Sequence, residues 1–275
     1  MSVPAAPLAV STIVTALRAA GCVFAEDEAE LIVSTAADPA SLAAMVERRV
    51  AGLPLEHVLG WAEFGGLRIA VDPGVFVPRR RTEFLVRQAA ALAGPGAVVV
   101  DLCCGSGALG AALAALPGRV ELHATDIEPA AVRCARRNIG GAGEVYEGDL
   151  FEPLPRSLRG RVEILLANVP YVPTDDVGLL PPEARIHEPR VALDGGPDGL
   201  DVLRRVAAEA PRWLAPGGHL LVETSERQAA RAEETVARSG LIPRVVGSEE
   251  LYATVVIATR PGPAAPARSA EMAEA

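Results

Sequence analysis

The spacing of hydrophobic residues changes twice along the chain and predicts three parts. Residues 1–58 place apolar side chains at helical intervals, for example Ile13 and Leu17, with polar residues between them. In residues 59–80, apolar residues alternate with polar residues and glycine, which predicts a β-hairpin linker. Residues 81–260 contain short continuous apolar runs that alternate with helical patterns. The sequence therefore predicts a small helical N-terminal domain, a hairpin linker and a larger α/β domain.

Seven of the apolar runs in the α/β domain have the length and composition of buried strands. They are residues 97–102, 120–125, 145–151, 162–167, 218–223, 243–246 and 252–258. Because helical segments separate most of them, we expect a doubly wound, seven-stranded, mostly parallel sheet whose first five strands lie in the order 3-2-1-4-5. Such sheets bind ligands beyond the carboxyl ends of strands one and four, where the strand order reverses. The site is expected at this edge.

The first strand ends in a glycine-rich turn that is typical of nucleotide binding. Asp101 closes the strand, and Gly105, Gly107 and Gly110 lead into an alanine-rich helix. These glycines match the G-x-G-x-x-G pattern, so a dinucleotide is one candidate ligand. A carboxylate at Asp101 would crowd a pyrophosphate, yet it could pair with the cationic amino-acid end of S-adenosylmethionine, which favours this methyl donor. Asp126 closes the second strand, where an acid is suited to the hydroxyls of a ribose.

The third and fourth strands end in residues suited to an adenine and to an amide. Asp149 and Leu150 could hold an adenine, with Ile127 on its other face, although acids also cap helices and leucines also fill cores. The fourth strand leads into Asn168-Val169-Pro170-Tyr171, which brings an amide, a rigid turn and an aromatic ring together. Such a cluster can hold a planar amide or amino group. Because strands one and four are neighbours, both groups of residues are expected to face one crevice.

Composition and charge narrow the class of protein. No uninterrupted apolar run reaches the roughly 20 residues that a membrane-spanning helix needs, and the N terminus lacks the basic start of an export signal, so a cytoplasmic protein is expected. The four cysteines show no metal-ligand spacing and are expected to be reduced. A net charge of −9 argues against broad nonspecific binding to nucleic acid. The low-complexity residues 261–275 are expected to form a disordered tail.

Together, these motifs resemble class I S-adenosylmethionine-dependent methyltransferases of the amino-methylating kind. The linker from Gly60 to Arg79 and the segment from Glu188 to Leu200 are similar, more narrowly, to the release-factor glutamine methyltransferase family, also called HemK or PrmC. The resemblance implies a class I, Rossmann-like methyltransferase domain at residues 81–260, with residues 188–200 as part of its lid. The length of the loop over residues 173–199 independently predicts a functional lid. It also implies a monomer that methylates the side-chain amide of a glutamine in the Gly-Gly-Gln loop of a peptide-chain release factor, without a metal and without direct nucleic-acid binding.

By this resemblance, Asn168 and the Pro170 backbone hold the carboxamide nitrogen of the substrate glutamine, and Tyr171 packs near it. An amide nitrogen is a poor nucleophile because its lone pair is delocalised, so the site must align it with the methyl group. S-adenosylmethionine would leave as S-adenosylhomocysteine. The residues expected to hold the donor are Asp101, Cys103, Gly105, Gly107, Asp126, Ile127, Asp149, Leu150 and Asn168, with Pro78 and Phe76 of the linker, although Phe76 could equally be core.

Three departures from the pattern of the family leave the substrate open. Val169 stands where the first of two prolines is usual, and Arg80 with Arg81 replaces a proline and an acid. Residues 223–225 stand where the family has an acid, an apolar residue and glycine. Methylation of an exocyclic amine in DNA or RNA remains an alternative, because Asn-x-Pro-Tyr clusters also serve flipped bases. A donor-binding protein without turnover is a further alternative.

Overall fold

The N-terminal part consists of four helices with a hydrophobic cluster of their own. The structure, a computed structural model, describes residues 9–118 and 120–262, so the predicted tail lies outside the described residues from residue 263 onward. The helices are α1 (Val10–Ala19), α2 (Ala25–Thr35), α3 (Pro39–Val50) and α4 (Leu55–Leu59). Their apolar faces bury Ile13, Leu17 and Ile32, among others, because the helical spacing places these side chains on one face.

A short hairpin connects this helical part to the rest of the chain. Strands β1 (Trp61–Phe64) and β2 (Leu67–Ala70) pair antiparallel across Gly65 and Gly66. Both glycines have positive φ, +58° and +75°, which a two-residue hairpin turn of this hand requires. The Phe64 side chain is fully buried in the hydrophobic cluster under the main sheet. The hairpin is therefore packed firmly onto the α/β part.

A seven-stranded sheet forms the centre of the molecule, as predicted. Its strands are β3 (Val98–Leu102), β4 (Glu121–Asp126), β5 (Gly143–Glu147), β6 (Val162–Ala167), β7 (Leu214–Thr224), β8 (Ile242–Ser248) and β9 (Ala253–Thr259). The order across the sheet is β5-β4-β3-β6-β7-β9-β8, which confirms the predicted order of the first five strands. These five are parallel, and β9 runs antiparallel to both of its neighbours.

Helices cover both faces of the sheet, which explains why its central strands are continuously apolar. The helices are α5 (Glu83–Leu92), α6 (Ala108–Ala114), α7 (Pro129–Ile139), α8 (Pro182–His187), α9 (Asp201–Trp213) and α10 (Ala229–Ala237). Side chains of α5, α6 and α7 fill the hydrophobic cluster on one face, and side chains of α9 and α10 fill the cluster on the other. All five residues of β3 are buried, including Asp101.

The segment after β6 contains more regular structure than the sequence suggested. Residues 173–199 were expected to be a lid loop, and they include two short 3₁₀ turns, Thr174–Leu179 and Arg190–Ala192, besides α8. Pro182 begins α8, where its missing N–H has no helical partner to lose. In the part of the chain that the structure describes, none of the helices has the length and apolar character needed to cross a membrane.

Candidate active site

A cavity of about 510 Å³ opens at the carboxyl edge of β3, β4 and β6. Its walls come from the glycine-rich turn after β3, the Asn168 to Tyr171 cluster after β6, the linker after β2, and helix α8. The volume falls within the range of small-molecule sites, and the position is the point where the strand order reverses. The two groups of residues that the sequence assigned to donor and acceptor thus face one space.

The turn after β3 presents backbone and a thiol to the cavity. Cys103 and Gly105 both have φ of +55° and both line the cavity. A left-handed conformation is rare for a residue with a side chain, and such residues cluster at functional sites. Burial raises the pKa of the Cys103 thiol far above its usual value, so the thiol is neutral at physiological pH. Cys103 can contribute shape and contact, and it is poorly suited to act as a nucleophile.

Asp126 fastens this turn to the next strand. Its carboxylate accepts hydrogen bonds from the backbone N–H of Gly105 at 2.8 Å and from that of Glu128 at 2.9 Å. Burial raises the pKa of the Asp126 carboxyl above its ordinary value. Each carboxylate oxygen can accept a second hydrogen bond. Because Asp126 lines the cavity, it can still bind a hydroxyl pair there.

Gly107 and Asp101 lie behind the turn rather than in the cavity wall. A Cβ on Gly107 would come within 3.0 Å of Ala135 on α7, so this glycine permits close helix packing. Asp101 is 1% exposed, and one carboxylate oxygen accepts a hydrogen bond from the Gly110 N–H at 3.2 Å. Its other oxygen has no hydrogen-bond partner among the described residues. Burial raises the pKa of Asp101 to about 7.

The predicted adenine residues line the cavity as a group. Ile127, Asp149 and Leu150 all face it. Like Cys103, Leu150 is a non-glycine residue in a left-handed conformation, with φ of +49°. Arg205 on α9 also lines the cavity and contacts the Asp149 carboxylate at 2.5 Å. The sequence did not single out Arg205, because a basic residue on the exposed side of a helix is usually solvated.

Residues 194–199, with the sequence Asp-Gly-Gly-Pro-Asp-Gly, pack against the backbone of the predicted acceptor cluster. Asn168, Val169, Pro170 and Tyr171 all line the cavity. A Cβ on Gly195 would approach the Pro170 carbonyl oxygen to 2.6 Å, so only glycine allows this contact between the two backbones. The Val172 N–H donates to the Leu193 carbonyl at 3.1 Å, and the Gly195 N–H donates to the Val172 carbonyl at 2.8 Å. The segment expected as a lid therefore also fixes the acceptor loop.

The linker and α8 meet at a buried ion pair beside the cavity. Arg79 donates to both carboxylate oxygens of Glu188 at 2.6 Å, and the Val77 N–H donates to one of them at 3.2 Å. The Arg79 guanidinium also lies 4.8 Å from the centre of the Phe76 ring. Phe76 and Pro78 line the cavity, which places the predicted linker residues at the site. At the other end of α8, Glu183 accepts a hydrogen bond from Arg49 of α3 at 2.7 Å.

Comparison with known proteins places this chain in a family. A family model described as "Methyltransferase small domain" matches residues 66–180. A release factor glutamine methyltransferase from Geobacter sulfurreducens is 40% identical over 74% of this chain and 72% of its own length. One from Mycolicibacterium smegmatis is 41% identical over 78% of both chains. The chain belongs to the release factor glutamine methyltransferase family.

Two solved structures with low sequence identity share the fold of this chain. A methyltransferase from Pyrococcus furiosus aligns with a TM-score of 0.54 at 16% identity, over 72% of this chain and 90% of that one. A ribosomal protein L11 methylase from Lactobacillus delbrueckii subsp. bulgaricus aligns with a TM-score of 0.51 at 16% identity, over 70% of this chain and 85% of that one. At this level of identity, the likeness concerns the fold alone, and the fold is that of class I methyltransferases.

Within this family member, Arg81, which departs from the family pattern, contacts Glu223, an acid at a position where the family also has an acid. Arg81 donates from Nε to Glu223 at 3.1 Å and from Nη2 to the Tyr171 hydroxyl at 2.7 Å. The Tyr171 hydroxyl in turn donates to Glu223 at 3.1 Å. Val169, another departure, is 2% exposed and belongs to the hydrophobic core cluster, although it also borders the cavity. Arg80 is exposed and is not among the residues that line the cavity.

Proposed function

We propose that this protein transfers a methyl group from S-adenosylmethionine to the side-chain amide nitrogen of a glutamine, in the Gly-Gly-Gln loop of a peptide-chain release factor. The observation that carries the proposal is that the turn after β3 and the Asn168 cluster line one cavity. The relatives named as release factor glutamine methyltransferases support the choice of substrate. A monomer in the cytoplasm, without direct nucleic-acid binding, remains our expectation.

The residues on the donor side fit S-adenosylmethionine. Cys103 and Gly105 hold a tight, left-handed backbone against the cavity, as a ligand that must approach main chain requires. Asp126 has acceptor capacity for the ribose hydroxyls, while Ile127, Asp149 and Leu150 offer apolar and acidic contacts suited to adenine. Gly107 and Asp101 would act indirectly, by shaping the turn. When bound, S-adenosylmethionine supplies an electrophilic methyl group and leaves as neutral S-adenosylhomocysteine.

The acceptor residues would act by orientation. Asn168 offers a carbonyl oxygen and an amino group, so its amide can both accept from and donate to a substrate carboxamide. The substrate N–H groups would donate to the Asn168 side-chain oxygen and to the Pro170 carbonyl. These hydrogen bonds would direct the nitrogen lone pair towards the methyl carbon. The nitrogen forms a bond to this carbon as the carbon–sulfur bond breaks, the bonding pair goes to sulfur, and the amide releases one proton. No residue here needs to carry a covalent intermediate.

Methyl transfer with a labelled donor tests this function directly. The purified protein is incubated with methyl-labelled S-adenosylmethionine and a purified release factor, and mass spectrometry locates the label. We expect one methyl group on the glutamine of the Gly-Gly-Gln loop and none on a release factor in which that glutamine is alanine. Equal labelling of the two release factors, or labelling of DNA or RNA but not of protein, would contradict the proposal.

A further inference from the structure

We propose that Arg81 is a positioning residue of the acceptor side: held by Glu223, its guanidinium fixes the Tyr171 side chain as a wall of the substrate cavity. This inference rests on the function proposed above and assigns a role to a residue that departs from the family pattern. Arg81 and Tyr171 both line the cavity, whereas Glu223 lies behind it. Arg81 therefore connects a buried charge to the surface that the substrate glutamine would meet.

The three side chains form a closed triangle of hydrogen bonds. Arg81 donates to Tyr171 at 2.7 Å and to Glu223 at 3.1 Å, and the Tyr171 hydroxyl donates to the same Glu223 oxygen at 3.1 Å. Each of the three residues comes from a different part of the chain: the turn before α5, the loop after β6, and the end of β7. A phenol that accepts from one neighbour and donates to another has one preferred ring orientation. The triangle thus fixes the ring more firmly than a single contact would.

The burial of Glu223 explains why a positive charge is needed at Arg81. The Glu223 side chain is 2% exposed, while that of Arg81 is 44% exposed. The second oxygen of Glu223 has no hydrogen-bond partner among the described residues. A buried carboxylate that loses its cationic partner is strongly destabilised, so Arg81 also stabilises the burial of Glu223.

The backbone and the side chain of Tyr171 are held by different residues, so the contact between Arg81 and Glu223 affects only the ring that the substrate would meet. The Tyr171 carbonyl accepts a hydrogen bond from Gln228 at 2.9 Å, and Gly199 packs so closely that a Cβ there would lie 2.3 Å from that oxygen. The backbone of Tyr171 is thus held without Arg81. Loss of Arg81 should release the ring and leave the loop in place. Substrate binding should then change while donor binding does not.

The kinetic test uses Arg81→Met, which removes the cation and keeps much of the side-chain volume. We expect the KM for the release factor to rise about tenfold or more, as for the loss of a hydrogen bond to a charged group, with the donor Kd within about twofold of wild type. Arg80→Met is the matched control, since Arg80 is the exposed neighbour outside the cavity. In a Tyr171→Phe background, Arg81→Met should add less than about twofold, because the hydroxyl it holds is already gone.

Two results would overturn the inference. One is an Arg81→Met protein with the same KM as Arg80→Met. The other is an effect of Arg81→Met that persists in full in the Tyr171→Phe background, which would mean that Arg81 contacts the substrate itself. If Arg81→Met fails to fold, the double variant Arg81→Met with Glu223→Gln removes the uncompensated charge and allows the same kinetics.

A stability cycle separates this inference from the proposed function. Thermal unfolding of wild type, Arg81→Met, Tyr171→Phe and the double variant measures the coupling between the two side chains without any substrate. If the wild type transfers no methyl group to a release factor, the proposed function fails, yet non-additive Tm changes would still support the contact. Additive changes would refute the role of Arg81 even in a fully active enzyme.

Discussion

Asp101→Asn should remove a pH dependence of stability from the ligand-free protein. Burial raises the pKa of Asp101 to about 7, so the folded state holds its proton at pH values where the unfolded chain has released it. The stabilisation from this proton is complete below the unfolded pKa, near 4, and is lost as the pH rises through about 7. Asparagine keeps an oxygen for the Gly110 N–H and does not ionise, so the variant should lack this loss.

The size of the effect follows from the two pKa values. A shift from 3.8 to about 7 corresponds to about 4 kcal/mol over the whole range, and about 2.5 kcal/mol of it falls between pH 5 and pH 8. For a protein of this size, 1 kcal/mol changes Tm by roughly 2–4 °C. The Tm of Asp101→Asn relative to wild type should therefore rise by roughly 5–10 °C from pH 5 to pH 8. Other titrating groups affect both proteins alike and largely cancel in this difference.

Differential scanning calorimetry of both proteins at pH 5, 6, 7 and 8, without donor, measures this difference. Asp175→Asn is the matched control, because Asp175 is exposed on the segment after β6 and its substitution should leave the Tm profile of the wild type unchanged. A Tm difference between Asp101→Asn and wild type that stays constant from pH 5 to pH 8 would refute the reasoning. It would mean that the Asp101 carboxylate is ionised throughout this range in the folded protein.

Three further outcomes are expected. Asn168→Ala should lower the rate of methyl transfer by about 100-fold or more with little change in donor Kd, whereas Asp126→Ala should weaken donor binding. Initial rates and calorimetric titration with the donor distinguish the two variants. Full activity of Asn168→Ala would contradict the assignment of the acceptor site. Gly107→Ala should destabilise the protein by roughly 1–3 kcal/mol in thermal unfolding, because its φ is +76° and the new Cβ would lie 3.0 Å from α7. Arg49→Met should lower the free energy of unfolding by about 3–5 kcal/mol, because it leaves Glu28 buried without its cation. Glu183→Gln weakens only the contact between Arg49 and α8, so it should leave Tm nearly unchanged. Equal losses of Tm in the two variants would show that the surface-exposed contact, not the buried pair, matters.

Much of the architecture could be predicted from the chain alone. The continuous apolar run of residues 98–102 is possible only for a strand covered on both faces, and its alternation with helices predicts the parallel order that the structure confirms. Topology then places the turn after β3 beside Asn168, which follows β6, because these strands are neighbours. Boundaries were predicted less well, as at the third strand, which begins at Gly143, two residues before the predicted run of residues 145–151.

Side-chain pairing was beyond prediction. Arg81 and Glu223 are 142 residues apart, Arg79 and Glu188 are 109 apart, and nothing in the local sequence indicates that either pair meets. The placement of Asp101 is a similar case. Its position at the end of a strand predicted a carboxylate that contacts the ligand, yet the side chain is buried, accepts a hydrogen bond from the Gly110 N–H of α6 and is not among the residues that line the cavity. Such outcomes depend on distances of a few ångströms between separate segments, which residue type and spacing do not determine.

The sequence by itself determined the layers of the fold, the edge at which the site lies and the chemical groups that reach it, because hydrophobic periodicity and strand order follow from short-range patterns. The tertiary structure decided which of those groups face the cavity and which support it from behind. Burial and contact between distant segments make that distinction, so Cys103, Asp126 and Asn168 line the cavity while Asp101 and Gly107 lie beneath it. The same packing brought Arg81 against Tyr171 and Glu223, where a departure from the family pattern became part of the cavity wall.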